Sequence, residues 1–161
     1  MERIQIIVLY DHVDMPSEKM FCPSFWAAED FDSDGDFYYE GVEKFWTKLE
    51  LEKKYSENDS SLFSIDVWRE RNRLYDPGTS EVADLARYVD YRDEGRYFDV
   101  HQIAEAKNLC VASLVIETRQ VQDYREFLLS VYEFLRVTNG MTSNLSMNLD
   151  AGEFLNRFIE G

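Results

Sequence analysis

The chain has 161 residues, 45% of them hydrophobic and 15% aromatic, and a net charge of −15 from thirty-two acidic and seventeen basic side chains. That much apolar and aromatic material supplies one sizeable core and excludes disorder for most of the length. No apolar run approaches the roughly 20 residues of a membrane-spanning helix, and the negative field repels phosphate backbones and anionic lipid, so direct nucleic-acid or membrane binding is disfavoured.

In chain order, Met1-Glu2-Arg3 leads without a signal-peptide pattern into an apolar, β-branched run over 4–10. The run predicts a strand covered on both faces, and the missing leader predicts a cytoplasmic protein. Met15-Pro16-Ser17 and Cys22-Pro23-Ser24 then break regular structure. The most acidic stretch, 29–40, sets Asp30, Asp32, Asp34 and Asp36 around Phe31 and Gly35 and runs into Phe37-Tyr38-Tyr39. Val42, Phe45, Trp46 and Leu49 share one helical face, which predicts a helix to about Tyr55. A polar connector is expected over 56–61. Phe63, Ile65 and Val67 then alternate with polar neighbours as a half-buried strand does.

Asp76-Pro77-Gly78 is a turn, and helices are expected from Thr79-Ser80, burying Val82, Leu85, Ala86 and Val89, and from Asp99, where Gln102 completes a capping box. The apolar run 109–116 reads as a buried strand. Asp123 and Glu126, three apart, predict a second capping box. The helix it opens carries Tyr124, Phe127, Leu128, Val131, Leu135 and Thr138 on one stripe and stops at Asn139-Gly140. An edge strand is expected over 141–149. Asp150 with Glu153 then starts a last helix bearing Phe154, Leu155, Phe158 and Ile159. The expectation is a single domain over 1–161 of α/β class, with α+β as the alternative, built on a central sheet of about four strands packed with helices.

Asp30-x-Asp32-x-Asp34-Gly35 matches the first half of a calcium loop, yet Gly41 stands where a bidentate Glu belongs, and Glu40 and Glu43 miss that position. An acidic surface loop is the better reading. Four crowded Asp side chains repel one another unless a cation or a basic partner relieves them. Phe37, Tyr38 and Tyr39 add aromatic anchors of the kind enriched at interfaces. The expected partner-binding residues are therefore Asp30, Asp32, Asp34, Asp36, Phe37, Tyr38, Tyr39 and Glu40.

The chain shows no serine elbow, phosphate-cradling glycine loop or His-Glu-x-x-His helix. His12 beside Asp11 and Asp14 is the nearest thing to an oriented base, and His101 sits at a helix start. Asp66, Arg69, Glu70 and Arg71 read as cross-strand ion pairs. Cys22 and Cys110 read as reduced thiols, since two Cys and two His at these spacings make neither a zinc site nor an obvious disulfide. No catalytic residue, cofactor or metal is expected.

The helix predicted over 42–55, the segment Leu62-Phe63-Ser64-Ile65-Asp66-Val67-Trp68 and the late strand-plus-helix ending Thr138-Asn139-Gly140 together resemble the layout of small bacterial immunity proteins, which neutralise secreted antibacterial toxins. The resemblance is architectural and carries no functional residue. It implies a compact acidic domain that binds a toxin and performs no chemistry. The leading expectation is thus an inhibitor that occludes a cognate, basic toxin domain. The alternatives are a phage-type DNA-mimic inhibitor of a nuclease, a calcium-binding module and, last, a small hydrolase.

Overall fold

Apolar residues at every second position zip long segments into one antiparallel sheet. The computed structural model describes residues 2–11, 37–38, 46–69, 109–142 and 149–160. They form β1 (Glu2–Asp11), β2 (Phe37–Tyr38), β3 (Trp46–Ser56), β4 (Asp59–Arg69), β5 (Leu109–Thr118), helix α1 (Val121–Thr138), β6 (Met141–Thr142) and helix α2 (Ala151–Phe154). The last continues as a π-helical turn over Leu155–Ile159. The sheet order is β2-β3-β4-β5-β1-β6, with every neighbour antiparallel. The fold is a sheet-dominated mixture of strands and helices. Its antiparallel pairing matches the α+β alternative rather than a βαβ succession.

The central strand β5 is buried on both faces. Cys110, Ala112, Leu114 and Ile116 point to one side and Leu109, Val111, Ser113 and Val115 to the other, all buried. This is why its sequence is continuously apolar instead of alternating. Helix α1 covers the first of these faces. Phe127, Leu128, Val131, Phe134 and Leu135 pack over Ile6, Val8, Tyr10, Phe63 and Ile65. Edge-to-face ring pairs join Tyr10 to Phe134 at 5.6 Å and Phe63 to Phe127 at 5.7 Å.

The helix ends as its sequence predicts. Asn139 takes the left-handed conformation at φ 54°, and the Gly140 N–H donates to the Leu135 carbonyl at 3.1 Å. A Cβ on Gly140 would lie 2.7 Å from the Leu9 carbonyl oxygen. Glycine is therefore what lets the chain turn from α1 straight onto β1, where Leu9 pairs with Met141 and Val8 with Thr142. Beyond, Thr142 and Leu149 bond twice, backbone to backbone at 2.8 Å and through the Thr142 hydroxyl at 3.0 Å. The Asp150 carboxylate accepts from the Glu153 N–H at 2.9 Å, the cap read from the sequence, and Phe154 is buried behind it.

Two expectations are corrected. The helix predicted to Tyr55 is a strand from Trp46 onward, whereas residues 42–45 lie outside the described residues. Leu49-Glu50-Leu51-Glu52 alternates with period two. Pairing with β4 sets Leu51 opposite Phe63 with both buried, a gain that the short helical spacing does not match. The polar connector shrinks to Glu57-Asn58, because β4 already begins at Asp59. Asn139 is the only non-glycine residue with positive φ among the described residues, so this turn is not of the mirror-image type favoured in hairpins. A register shift between Lys54 and Ser56 leaves Tyr55 as the extra residue of a bulge. Of the strand expected over 141–149, the described part is Met141–Thr142; residues 143–148 lie outside the described residues. So do the turn at Asp76-Pro77-Gly78 and the two helices expected after it.

Candidate functional site

The polar residues that the sheet turns inward gather at one place, where the β3–β4 hairpin meets the start of α1. Inward positions on β4 run Ser61, Phe63, Ile65 and Val67, and Lys53 on β3 pairs with Ser61. Thr118 ends β5 beside them, its hydroxyl 2.6 Å from that of Ser61. Asp123, in the first turn of α1, points down into this cluster and is only 1% exposed.

This corrects the reading of Asp123 as a helix cap. The helix begins at Val121 with Gln120 at the cap position and no side-chain cap. The Asp123 carboxylate instead accepts from three donors. Its Oδ2 takes the Tyr55 hydroxyl at 2.5 Å and the Ser61 hydroxyl at 2.5 Å, and its Oδ1 takes the Lys53 ammonium at 3.3 Å. Glu126, expected to close the capping box, reaches Lys53 at 3.1 Å. The second residue of the sequence pattern thus serves the same network. Around it, the Gln120 N–H donates to the Thr118 hydroxyl at 2.9 Å, and the Gln120 amide donates to Asp59 at 3.0 Å.

The electrostatics follow from this geometry. The Tyr55 phenol is pushed well above its ordinary value, first by desolvation, then by the hydrogen bond to Asp123 and by the charges of Asp123, Glu126 and Asp59. It stays protonated and donates. Asp123 is occupied at both oxygens, and Lys53 is shared between two carboxylates. Such an arrangement fastens the first turn of α1 to the hairpin. It offers neither a free nucleophile nor an open base to a substrate. The helix start also places Asp123 favourably against the positive end of the helix dipole.

The partner-binding residues read from the sequence fall elsewhere. Phe37 and Tyr38 form β2, the outermost strand on the β3 side among the described residues, in register with Lys48 and Trp46. Asp30, Asp32, Asp34, Asp36, Tyr39 and Glu40 lie outside the described residues, as do His12, Cys22 and His101. Of the chain's acidic and basic side chains, fourteen and nine respectively fall in the described residues, so most of the acidic surplus belongs to the remaining sequence. Several of the described carboxylates are paired. Arg3 meets Glu117 at 3.4 Å, and Arg136 meets Glu133 at 2.6 Å. Among the described residues no three His, Cys, Asp or Glu side chains gather as a metal site requires. Nor is any helix there long and apolar enough to cross a membrane.

Sequence reasoning missed the Asp123 network because it took β3 for a helix. Once the hairpin is recognised, the signal is legible: Lys53, Ser61 and Thr118 are polar residues at inward positions on three adjacent strands, all at the same end of the sheet. Compared with known proteins, the chain matches no protein-family model, no curated protein and no solved structure.

Proposed function

We propose that this chain is an inhibitor of the immunity-protein type, which binds and occludes a cognate, basic bacterial toxin domain and performs no chemistry of its own. The observation that carries the reading is charge. A net of −15 includes Asp30, Asp32, Asp34 and Asp36 within seven residues, followed directly by Phe37, Tyr38, Tyr39 and Glu40. The position of Phe37–Tyr38 supports it, because these two residues, which follow the acidic run directly in sequence, lie on the outermost described strand of the sheet and not at its centre. The Asp123 network is consistent with a structural part for this buried carboxylate, both of whose oxygens are engaged by Tyr55, Ser61 and Lys53.

In this reading the whole chain is one domain, further helices pack on its sheet, and it acts in the cytoplasm. An acidic patch steers a basic partner into contact, with association rates up to about 10⁸–10⁹ M⁻¹s⁻¹ at low salt. The test is co-expression with a panel of basic bacterial toxin domains, followed by stopped-flow capture of each purified domain that the chain neutralises. The chain protects the host, and replacing the four Asp by Asn slows capture. A chain that neither protects nor binds sinks the proposal. Capture that proceeds at the same rate in the four-Asn variant removes this segment from it.

A further inference from the structure

Asn139-Gly140, which ends α1, is the only Asn-Gly pair in the chain. Such a pair carries its own chemistry, because glycine has no side chain to obstruct attack by its nitrogen on the asparagine Cγ. The bond from the glycine nitrogen to Cγ forms, the bond from Cγ to the amide nitrogen breaks, and ammonia leaves with the glycine's proton. Water then opens the five-membered imide at either carbonyl, giving aspartate or isoaspartate. Asn139 is exposed and Gly140 is buried. The fold holds the reacting atoms apart. At ψ 34°, the Gly140 nitrogen lies nearly opposite the Asn139 Cβ across the Cα–C bond, whereas ring closure needs them on the same side. The nucleophile is also engaged, since the Gly140 N–H donates to the Leu135 carbonyl at 3.1 Å. Turning ψ to the reactive value swings Gly140 out of that bond and off β1. The end of α1 and the pairing of Met141 and Thr142 with Leu9 and Val8 must therefore open for the ring to close.

We propose that Asn139 is a modification site that folding protects: it deamidates when the α1–β6 connection opens, and the isoaspartate product does not rebuild that connection. Isoaspartate carries the main chain through its Cβ, which inserts one more carbon into a turn with no room for it. A Cβ on Gly140 would already lie 2.7 Å from the Leu9 carbonyl oxygen and 3.0 Å from both the Thr138 hydroxyl and a Val8 methyl. Either product also sets a carboxylate at the negative end of the α1 dipole. Opening that lasts long enough for the reaction thus leaves a permanent covalent mark. The site is separate from the acidic segment at 30–40 and does not depend on the inhibitor reading.

The test incubates the full chain in native buffer and in guanidinium chloride above its unfolding transition, at equal pH and temperature. Peptide mass spectrometry follows the conversion of amide to acid at Asn139, and enzymatic methylation of isoaspartate identifies that product. Conversion should be at least about tenfold slower in native buffer, because it follows the population of the opened state. Once denaturant is removed, the isoaspartate fraction should melt below the unmodified chain. Asn139→Gly keeps a left-handed stop without the amide, so after the same incubation it should melt as it did before. Equal conversion rates in the two conditions would overturn the proposal, as would an isoaspartate fraction that melts like the unmodified chain. An equal loss of melting temperature in the incubated Asn139→Gly would also overturn it. If that variant does not fold, the two rates and the melt of the isoaspartate fraction decide.

Discussion

Replacing Asp123 by Asn separates the buried network from the simple cap that the sequence pattern implies. As a cap, Asn serves about as well as Asp, and the change would cost almost nothing. In the structure, Asn keeps the shape but exchanges one acceptor for a donor. Either Lys53 or the Tyr55–Ser61 pair then faces a donor with a donor. Hydrogen bonds to charged groups contribute roughly 1.5–3 kcal/mol each, and removing one member of a buried ion pair costs about 3–5 kcal/mol. Lys53 is 15% exposed and keeps Glu126, so the loss falls at the low end, about 3 kcal/mol. For a chain of this length that lowers Tm by about 6–12 °C. Urea unfolding followed by tryptophan fluorescence and circular dichroism measures it, with an unchanged m value showing that the end states are the same. A loss below about 1 kcal/mol, the size of an exposed ion pair, would refute the account of Asp123 as a buried fastening.

Tyr55 makes the same network sensitive to alkali. Its phenol is raised above the ordinary 10.0, so the fold favours the protonated form. The stabilisation is complete below pH of about 10 and is lost as pH rises beyond it. Melting temperature against pH should therefore fall less steeply in Tyr55→Phe than in the parent above that point; parallel curves would contradict this. Gly140→Ala should destabilise by about 1–3 kcal/mol in thermal melts, because the added Cβ meets the Leu9 carbonyl oxygen at 2.7 Å and backbone must move. A parent-like melt would show that the α1–β6 connection yields. Phe127→Ala, which empties the contact with Phe63, should cost about 3–5 kcal/mol, and a cost near 1 kcal/mol would mean α1 does not seal the sheet.

What the sequence made legible was decided by the length and unity of each local signal. The runs at 4–10 and 109–116 are apolar at nearly every position and became β1 and β5, which pair with each other along their whole length. Asn139-Gly140 and Asp150 with Glu153 carry their own backbone chemistry, so the stop of α1 and the cap of α2 could be read without knowing the fold. The errors arose where two patterns overlapped. Val42, Phe45, Trp46 and Leu49 satisfy a helical face while Leu49 and Leu51 satisfy a strand, and only the partner strand β4, through Leu51 opposite Phe63, decides between them. Asp123 misled for a related reason. An Asp three residues before a Glu looks alike whether it caps a helix or points under it, and the donors that pull it under come from Lys53, Tyr55 and Ser61, more than sixty residues away.

Association kinetics with a toxin domain that the chain neutralises test the functional claim most directly, measured across salt from about 0.05 to 0.5 M, where screening of exposed charge changes most. The account predicts that capture by the parent chain slows steeply as salt rises. In the variant with Asn at 30, 32, 34 and 36, capture is slower at low salt and nearly flat across the range. Equal rates and equal salt slopes in the two proteins would contradict it.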